Sequence, residues 1–172
     1  NISTTDEVKP FRTHHAFLIG INEYAFVTSL KTAVNDAVAL GKMLEAQHNY
    51  LLHPILENPT KAALESFMNG MKDVVGAEDA CVFYFAGHGI ALEDDKGMNG
   101  YVVPSDAKSN ERDSLVPMSL LTDTFGLLPC RHFLLILDCC FAGAIRWATS
   151  SRDVDSLFLP NRIFKERFER YI

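Results

Sequence analysis

Ala80-Cys81-Val82-Phe83-Tyr84-Phe85 runs straight into Ala86-Gly87-His88-Gly89. An apolar stretch of that length without alternation reads as a strand buried on both faces. A second such run, His132-Phe133-Leu134-Leu135-Ile136-Leu137, ends on Asp138-Cys139-Cys140-Phe141-Ala142-Gly143. Strands of this kind belong to a mainly parallel sheet with helices on both faces, a doubly wound α/β layer. In such sheets the functional crevice opens beyond the carboxyl ends of the strands. Both quoted strands end in chemistry: a histidine between glycines, and a thiol pair after a carboxylate. Neighbouring strands lie about 4.8 Å apart, so if these two pair, His88 and a cysteine meet across a small gap.

The flanking sequence fits the same architecture. His15 to Ile21 is a buried strand followed by Asn22-Glu23-Tyr24. Leu30 to Gln47 has helical spacing, with Asn35 as a capping residue. His53-Pro54-Ile55-Leu56 reads as a short outer strand, because proline cannot donate to a central ladder. Thr60 caps a helix that runs to Val75 with Leu64, Phe67, Met68 and Met71 on one face. Leu92 to Val103 reads as an insertion with an acidic, solvated tip at Glu93-Asp94-Asp95 and an apolar return at Tyr101-Val102-Val103. Met118 to Phe125 is a short helix. Periodicity thus gives about four strands.

The 172 residues suit one domain, with 48% apolar and 22% charged residues. Sixteen Lys+Arg against 22 Asp+Glu give a net charge of −6. That balance argues against a nucleic-acid or anionic-membrane surface. No run approaches the roughly 18 apolar residues of a membrane span. Residues 1–12 are polar and lack the apolar centre of a secretory signal. Asn1 is not a methionine, which reads as a chain excised from something longer. The cysteines are Cys81, Cys130, Cys139 and Cys140. Without a CxxC pair a structural zinc site has no support, and no metal site is expected. Reduced thiols in a cytoplasmic protein are the natural reading.

A thiol becomes a useful nucleophile when an imidazole can take its proton. Histidine does this near neutrality. Glycines beside His88 allow close backbone approach to a substrate. The backbone N–H of Gly89, with that of the nucleophile, can hold a carbonyl oxygen as it gains charge. These parts fit acyl transfer through a thioester.

The same residues resemble the caspase-like cysteine peptidases, in particular metacaspases and their prokaryotic homologues. Phe17-Leu18-Ile19-Gly20-Ile21-Asn22 resembles the family's first strand, and Leu30-Lys31-Thr32-Ala33-Val34-Asn35-Asp36-Ala37 its Val-Asn-Asp-Ala helix start. Phe85-Ala86-Gly87-His88-Gly89 resembles the catalytic histidine motif. Leu137 to Gly143 resembles the nucleophile motif, which metacaspases usually write Asp-Ser-Cys-His-Ser-Gly. The resemblance runs from about His15 to Gly143, with histidine then cysteine roughly fifty residues apart.

The resemblance implies a cysteine endopeptidase with Cys140 as nucleophile and His88 handling protons. It places Cys139 at a serine position, as a structural residue. It implies that Asp36 and Asp138 line the pocket for the residue before the scissile bond, selecting Arg or Lys in a protein substrate. Ala86 stands where metacaspases often carry serine, and Phe141 replaces their histidine. The first carboxylate after Cys140 is Asp153, which argues against calcium activation, so no cofactor is expected. These departures favour the prokaryotic branch, whose members are often tied to defence or cell death.

Caspase-like domains have a six-stranded sheet, whereas here a polar loop and charged helix (148–172) follow the nucleophile. The chain therefore resembles a large-subunit portion, 1–172 with an N-terminal extension at 1–13. A small-subunit segment and regulatory domains are the expected partners. Two rival readings differ in class. One is a catalytically silent caspase-like module for assembly or signalling; the presence of both dyad residues speaks against it. The other is a redox sensor using Cys139 and Cys140, which lacks CxxC spacing. Singly, His88, Cys140, Asp36 and Asp138 all have bland structural explanations. His14, His15, His48, His53 and His132 show no partner pattern.

Overall fold

The computed structural model describes residues 9–95 and 97–139. A parallel sheet forms its centre. β1 (His14–Gly20) pairs with β4 (Ala80–Ala86), and β4 pairs with β8 (His132–Asp138). The free side of β1 carries two short parallel strands, β2 (Leu51–Leu52) and β3 (Leu56–Glu57). The outer strand expected over His53–Leu56 is thus split. His53, Pro54 and Ile55 fall between the two pieces, as a residue without an N–H requires.

Side-chain alternation along these strands builds two layers. Phe17, Ile19, Cys81, Phe83 and Phe85 pack with Leu64 and Met68 of α2 (Lys61–Gly70) and with Leu121 and Phe125 of α3 (Met118–Gly126). Ala16, Leu18, Val82, Tyr84 and Ala86 pack with Ala33 and Ala37 of α1 (Ala33–His48). The helices therefore cover both faces, as the unbroken apolar strands demand.

Helix starts follow local chemistry. Thr60 caps α2 by accepting from the Ala63 N–H at 3.2 Å. The helix ends at Gly70, and a 3-10 turn over Met71–Asp73 continues it. At α1 the expected Asn35 cap does not form. Asn35 lies inside the helix, Thr32 occupies the cap position without a side-chain bond, and the Val34 N–H donates to Asn22 Oδ1 at 3.2 Å.

The segment read as an insertion is a hairpin of β5 (Gly89–Asp94) and β6 (Gly97–Val102), extended by β7 (Val116–Pro117) into a small antiparallel sheet. Val27, Ile90, Tyr101, Val103, Ala107 and Leu115 form its core.

A buried polar network ties down the amino-terminal end of the central sheet. Asp79 has no exposed surface. Its carboxylate accepts from Arg12 Nε (3.0 Å) and Nη2 (2.9 Å), from the Gly76 N–H (2.7 Å) and from His15 Nε2 (3.2 Å). With the Nε2 proton directed at Asp79, His15 Nδ1 accepts from His53 Nε2 at 2.9 Å. His53 in turn stacks on Phe17 at 4.1 Å between ring centroids. Two of the histidines that showed no pattern in sequence, His15 and His53, are thus linked through strand adjacency.

The Arg12 hydrogen bonds, helped by those of Gly76 and His15, hold the Asp79 carboxyl far below the usual carboxylate range despite its burial. Burial and His15 lower the pKa of His53. Both shifts have the same sign for stability: on acidification the unfolded chain takes up protons that the folded chain refuses. Stability is complete above about pH 6.5. It falls in one step below that value and in a second below about pH 4, the ordinary values of the two groups. Asp79→Ala abolishes the second step. It lowers stability near pH 7 by about 1–3 kcal/mol, the cost of orphaned buried hydrogen-bonding groups. Urea unfolding across this pH range measures both effects.

Candidate active site

The β4–β8 ladder sets the site. Every residue from Ala80 to Ala86 is paired in register with one from His132 to Asp138, Ala86 facing Asp138. The Gly87 N–H donates to the Asp138 carbonyl at 3.3 Å, carrying the pairing one step beyond the strands. His88 is the second residue after Ala86, and Cys140 is the second after Asp138. Cys140 itself lies outside the described residues.

His88 is held from two sides by one loop. Its backbone N–H donates to Tyr24 Oη at 2.8 Å, and the two rings meet at 4.8 Å. Its Nε2 lies 2.7 Å from the Thr28 carbonyl. A carbonyl only accepts, so Nε2 carries a proton, and in the neutral imidazole Nδ1 is the acceptor. The loop is itself fixed. Asn58 Oδ1 accepts from the N–H groups of Asn22 (2.8 Å) and Glu23 (3.0 Å). The Ala25 N–H donates to the Ser105 carbonyl at 2.8 Å. Val27, 4% exposed, anchors it in the small sheet. Neither Tyr24 nor Thr28 was singled out from sequence. A tyrosine side chain and a backbone carbonyl in a loop carry no periodic signal.

Gly89 begins β5, opposite Val102. The adjoining bond from the Val103 N–H to the His88 carbonyl, at 3.0 Å, marks Gly89–Val102 as a non-hydrogen-bonded pair. Its N–H therefore faces away from β6.

The two carboxylates lie on the α1 face. Asp138 Oδ2 accepts from Tyr84 Oη at 2.9 Å. Asp36, in the first turn of α1, lies close enough for its charge to act on that same phenol. Both carboxylates are exposed. Among the described residues no lysine or arginine forms an ion pair with either. Cys139 packs instead with the opposite cluster, beneath α2 and α3. Cys81 and Cys130 form no disulfide, and burial pushes the Cys81 thiol up. No group of His, Cys, Asp and Glu able to hold a metal ion occurs among the described residues.

Gly87 is required by this packing. A Cβ there would stand 2.9 Å from Tyr24 Oη and 3.0 Å from Phe85 Cζ, in a fully buried ring. Gly87→Ala is expected to cost about 1–3 kcal/mol, the usual penalty for overpacking. Tyr24→Phe, which removes the clashing oxygen, recovers part of that loss. A double-mutant cycle by chemical denaturation measures the coupling.

Comparison with known proteins bears on the fold and the family. A crystal structure of a protein from Geobacter sulfurreducens superposes with a TM-score of 0.61 at 17% identity. The match covers 74% of this chain and 50% of that one, so the chain spans about half the neighbour's length. It is a likeness of fold. No curated protein matches. No helix among the described residues is long and apolar enough to cross a membrane. The family profile of the caspase domain matches residues 13–162, and a match over that much of the sequence means that the chain belongs to the caspase-domain family of peptidases.

Proposed function

We propose that this chain carries the catalytic residues of a cysteine endopeptidase that cleaves protein substrates after Arg or Lys. The observation that carries the reading is the contact of His88 Nε2 with the Thr28 carbonyl at 2.7 Å: a carbonyl only accepts, so in the neutral imidazole Nδ1 is left to accept from a thiol. In this reading Cys140 gives its proton to Nδ1 and its sulfur attacks the scissile carbonyl. The N–H groups of Gly89 and Cys140 receive the oxyanion. The tetrahedral intermediate collapses, the C–N bond breaks, and His88 returns the proton to the departing amine. Water, deprotonated by His88, then hydrolyses the thioester and restores the thiol.

Asp36 and Asp138 take the basic side chain. Two exposed carboxylates near one phenol, with no cation paired to them among the described residues, favour a cationic guest. The exposed Leu134, at 57%, lies on the α1 face of β8. It supports a further segment, a small-subunit portion, packing over that face. Unbridged thiols at Cys81 and Cys130 suit a reducing, cytoplasmic setting.

Peptide hydrolysis by the full-length protein tests the reading. Cys140→Ala and His88→Ala are each expected to lower kcat at least 1000-fold, and Cys139→Ala less than fivefold. Peptides with Arg or Lys before the scissile bond are expected to exceed Asp peptides on the order of 100-fold in kcat/KM. Equal loss in Cys139→Ala and Cys140→Ala contradicts the nucleophile assignment, and preference for Asp contradicts the pocket.

A further inference from the structure

Tyr84 is 6% exposed, and its phenol sits among small residues: Ala33, Ala37 and Ala86 belong to the same cluster. Helix α1 comes this near because Gly20 has no side chain. A Cβ there would stand 2.6 Å from Val34 Cα and 2.7 Å from the Ala33 carbonyl oxygen. The Tyr84 ring therefore extends between sheet and helix, and its hydroxyl ends on Asp138 Oδ2 at 2.9 Å. Burial first, then the hydrogen bond to Asp138 and the charges of Asp138 and Asp36, raise the pKa of this phenol well above its ordinary value. It stays a donor at neutral pH.

We infer that Tyr84 is a positioning residue for specificity, which ties one oxygen of Asp138, fixes the plane of that carboxylate beside Asp36, and so makes the pair favour arginine over lysine. The inference rests on the basic-residue reading of the pocket given above. An untethered carboxylate turns freely about its terminal torsion. A guanidinium is a rigid planar fork and needs acceptors held at a matching angle. An ammonium is a compact charge with rotatable donors and tolerates either orientation. With Oδ2 engaged by Tyr84, Oδ1 of Asp138 and the oxygens of Asp36 remain for the guest. Two separate carboxylates then receive the two edges of one fork.

The test uses the full-length protein and matched peptides carrying Arg or Lys before the scissile bond, with kcat and KM measured separately. Wild type is expected to show the lower KM for Arg. In Tyr84→Phe the KM for Arg peptides rises about tenfold, that for Lys peptides less than twofold, and kcat is unchanged for both. As competing ligands, agmatine loses affinity in parallel and cadaverine does not. Equal effects on Arg and Lys, or a fall in kcat with KM unmoved, overturn the inference. A thermal melt checks that Tyr84→Phe folds. If it does not, Asp138→Glu, which carries the carboxylate past the hydroxyl, gives the answer: retained preference for Arg overturns the role of Tyr84. A wild type that cleaves neither basic peptide refutes the underlying pocket instead, a result distinct from any change in the Arg:Lys ratio.

Discussion

The in-register parallel pairing of β4 with β8 is the constraint on which the rest depends. It aligns two apolar strands so that Ala86 faces Asp138. From that one pairing follow the bond from Gly87 to Asp138, the level at which His88 leaves the sheet, and the meeting of Tyr84 with Asp138. Side chains alternate with a period of two, so a slip by one residue would turn Asp138 beneath α2 and α3 and bring Cys139 to the α1 face. The hydrophobic clusters prevent it. Phe133, Leu135 and Leu137 pack with Phe83 and Phe125 on one side, and Ile136 with Tyr84 and Ala86 on the other. Core packing thus sets the position of groups that have no apolar role.

The two ends of the sheet treat charge in opposite ways. At the amino end Asp79 is enclosed and meets an arginine, a histidine and a backbone N–H. A satisfied, buried carboxylate of this kind ties two chain segments together, and through His15 it reaches His53 in a third. At the carboxyl end Asp36 and Asp138 are exposed and, among the described residues, without a cation. One end is closed in on itself and serves stability. The other leaves two carboxylates exposed to solvent.

Much of this was legible in the sequence because the parallel strands are apolar throughout and end abruptly on glycine or carboxylate. The β1, β4 and β8 runs, the three helices and the positions of His88 and Asp138 followed from that pattern. What was not legible depends on contacts between segments distant in sequence. Thr28 acts through a carbonyl that every residue possesses. Tyr24 reaches His88 across 64 positions, and His15 reaches Asp79 across the same distance. Asn35 misled because its residue type favours caps, whereas Asn22 from the preceding loop meets the helix start. The acidic tip concealed a hairpin whose third strand, Val116–Pro117, is too short to show a period. The register of two motifs could be guessed, but a histidine tautomer requires knowing what lies beyond the ring.

The central claim is that a thiol two residues beyond Asp138 works with the imidazole two residues beyond Ala86. The most direct measurement is adduct mapping on the full-length protein. An acyloxymethyl ketone bearing arginine alkylates the attacking sulfur, and peptide mass spectrometry then locates it. The reading requires a single adduct on Cys140 that forms rapidly in wild type and at least 100-fold more slowly in His88→Ala. An adduct on Cys139, or labelling of Cys140 at the same rate without His88, would contradict it.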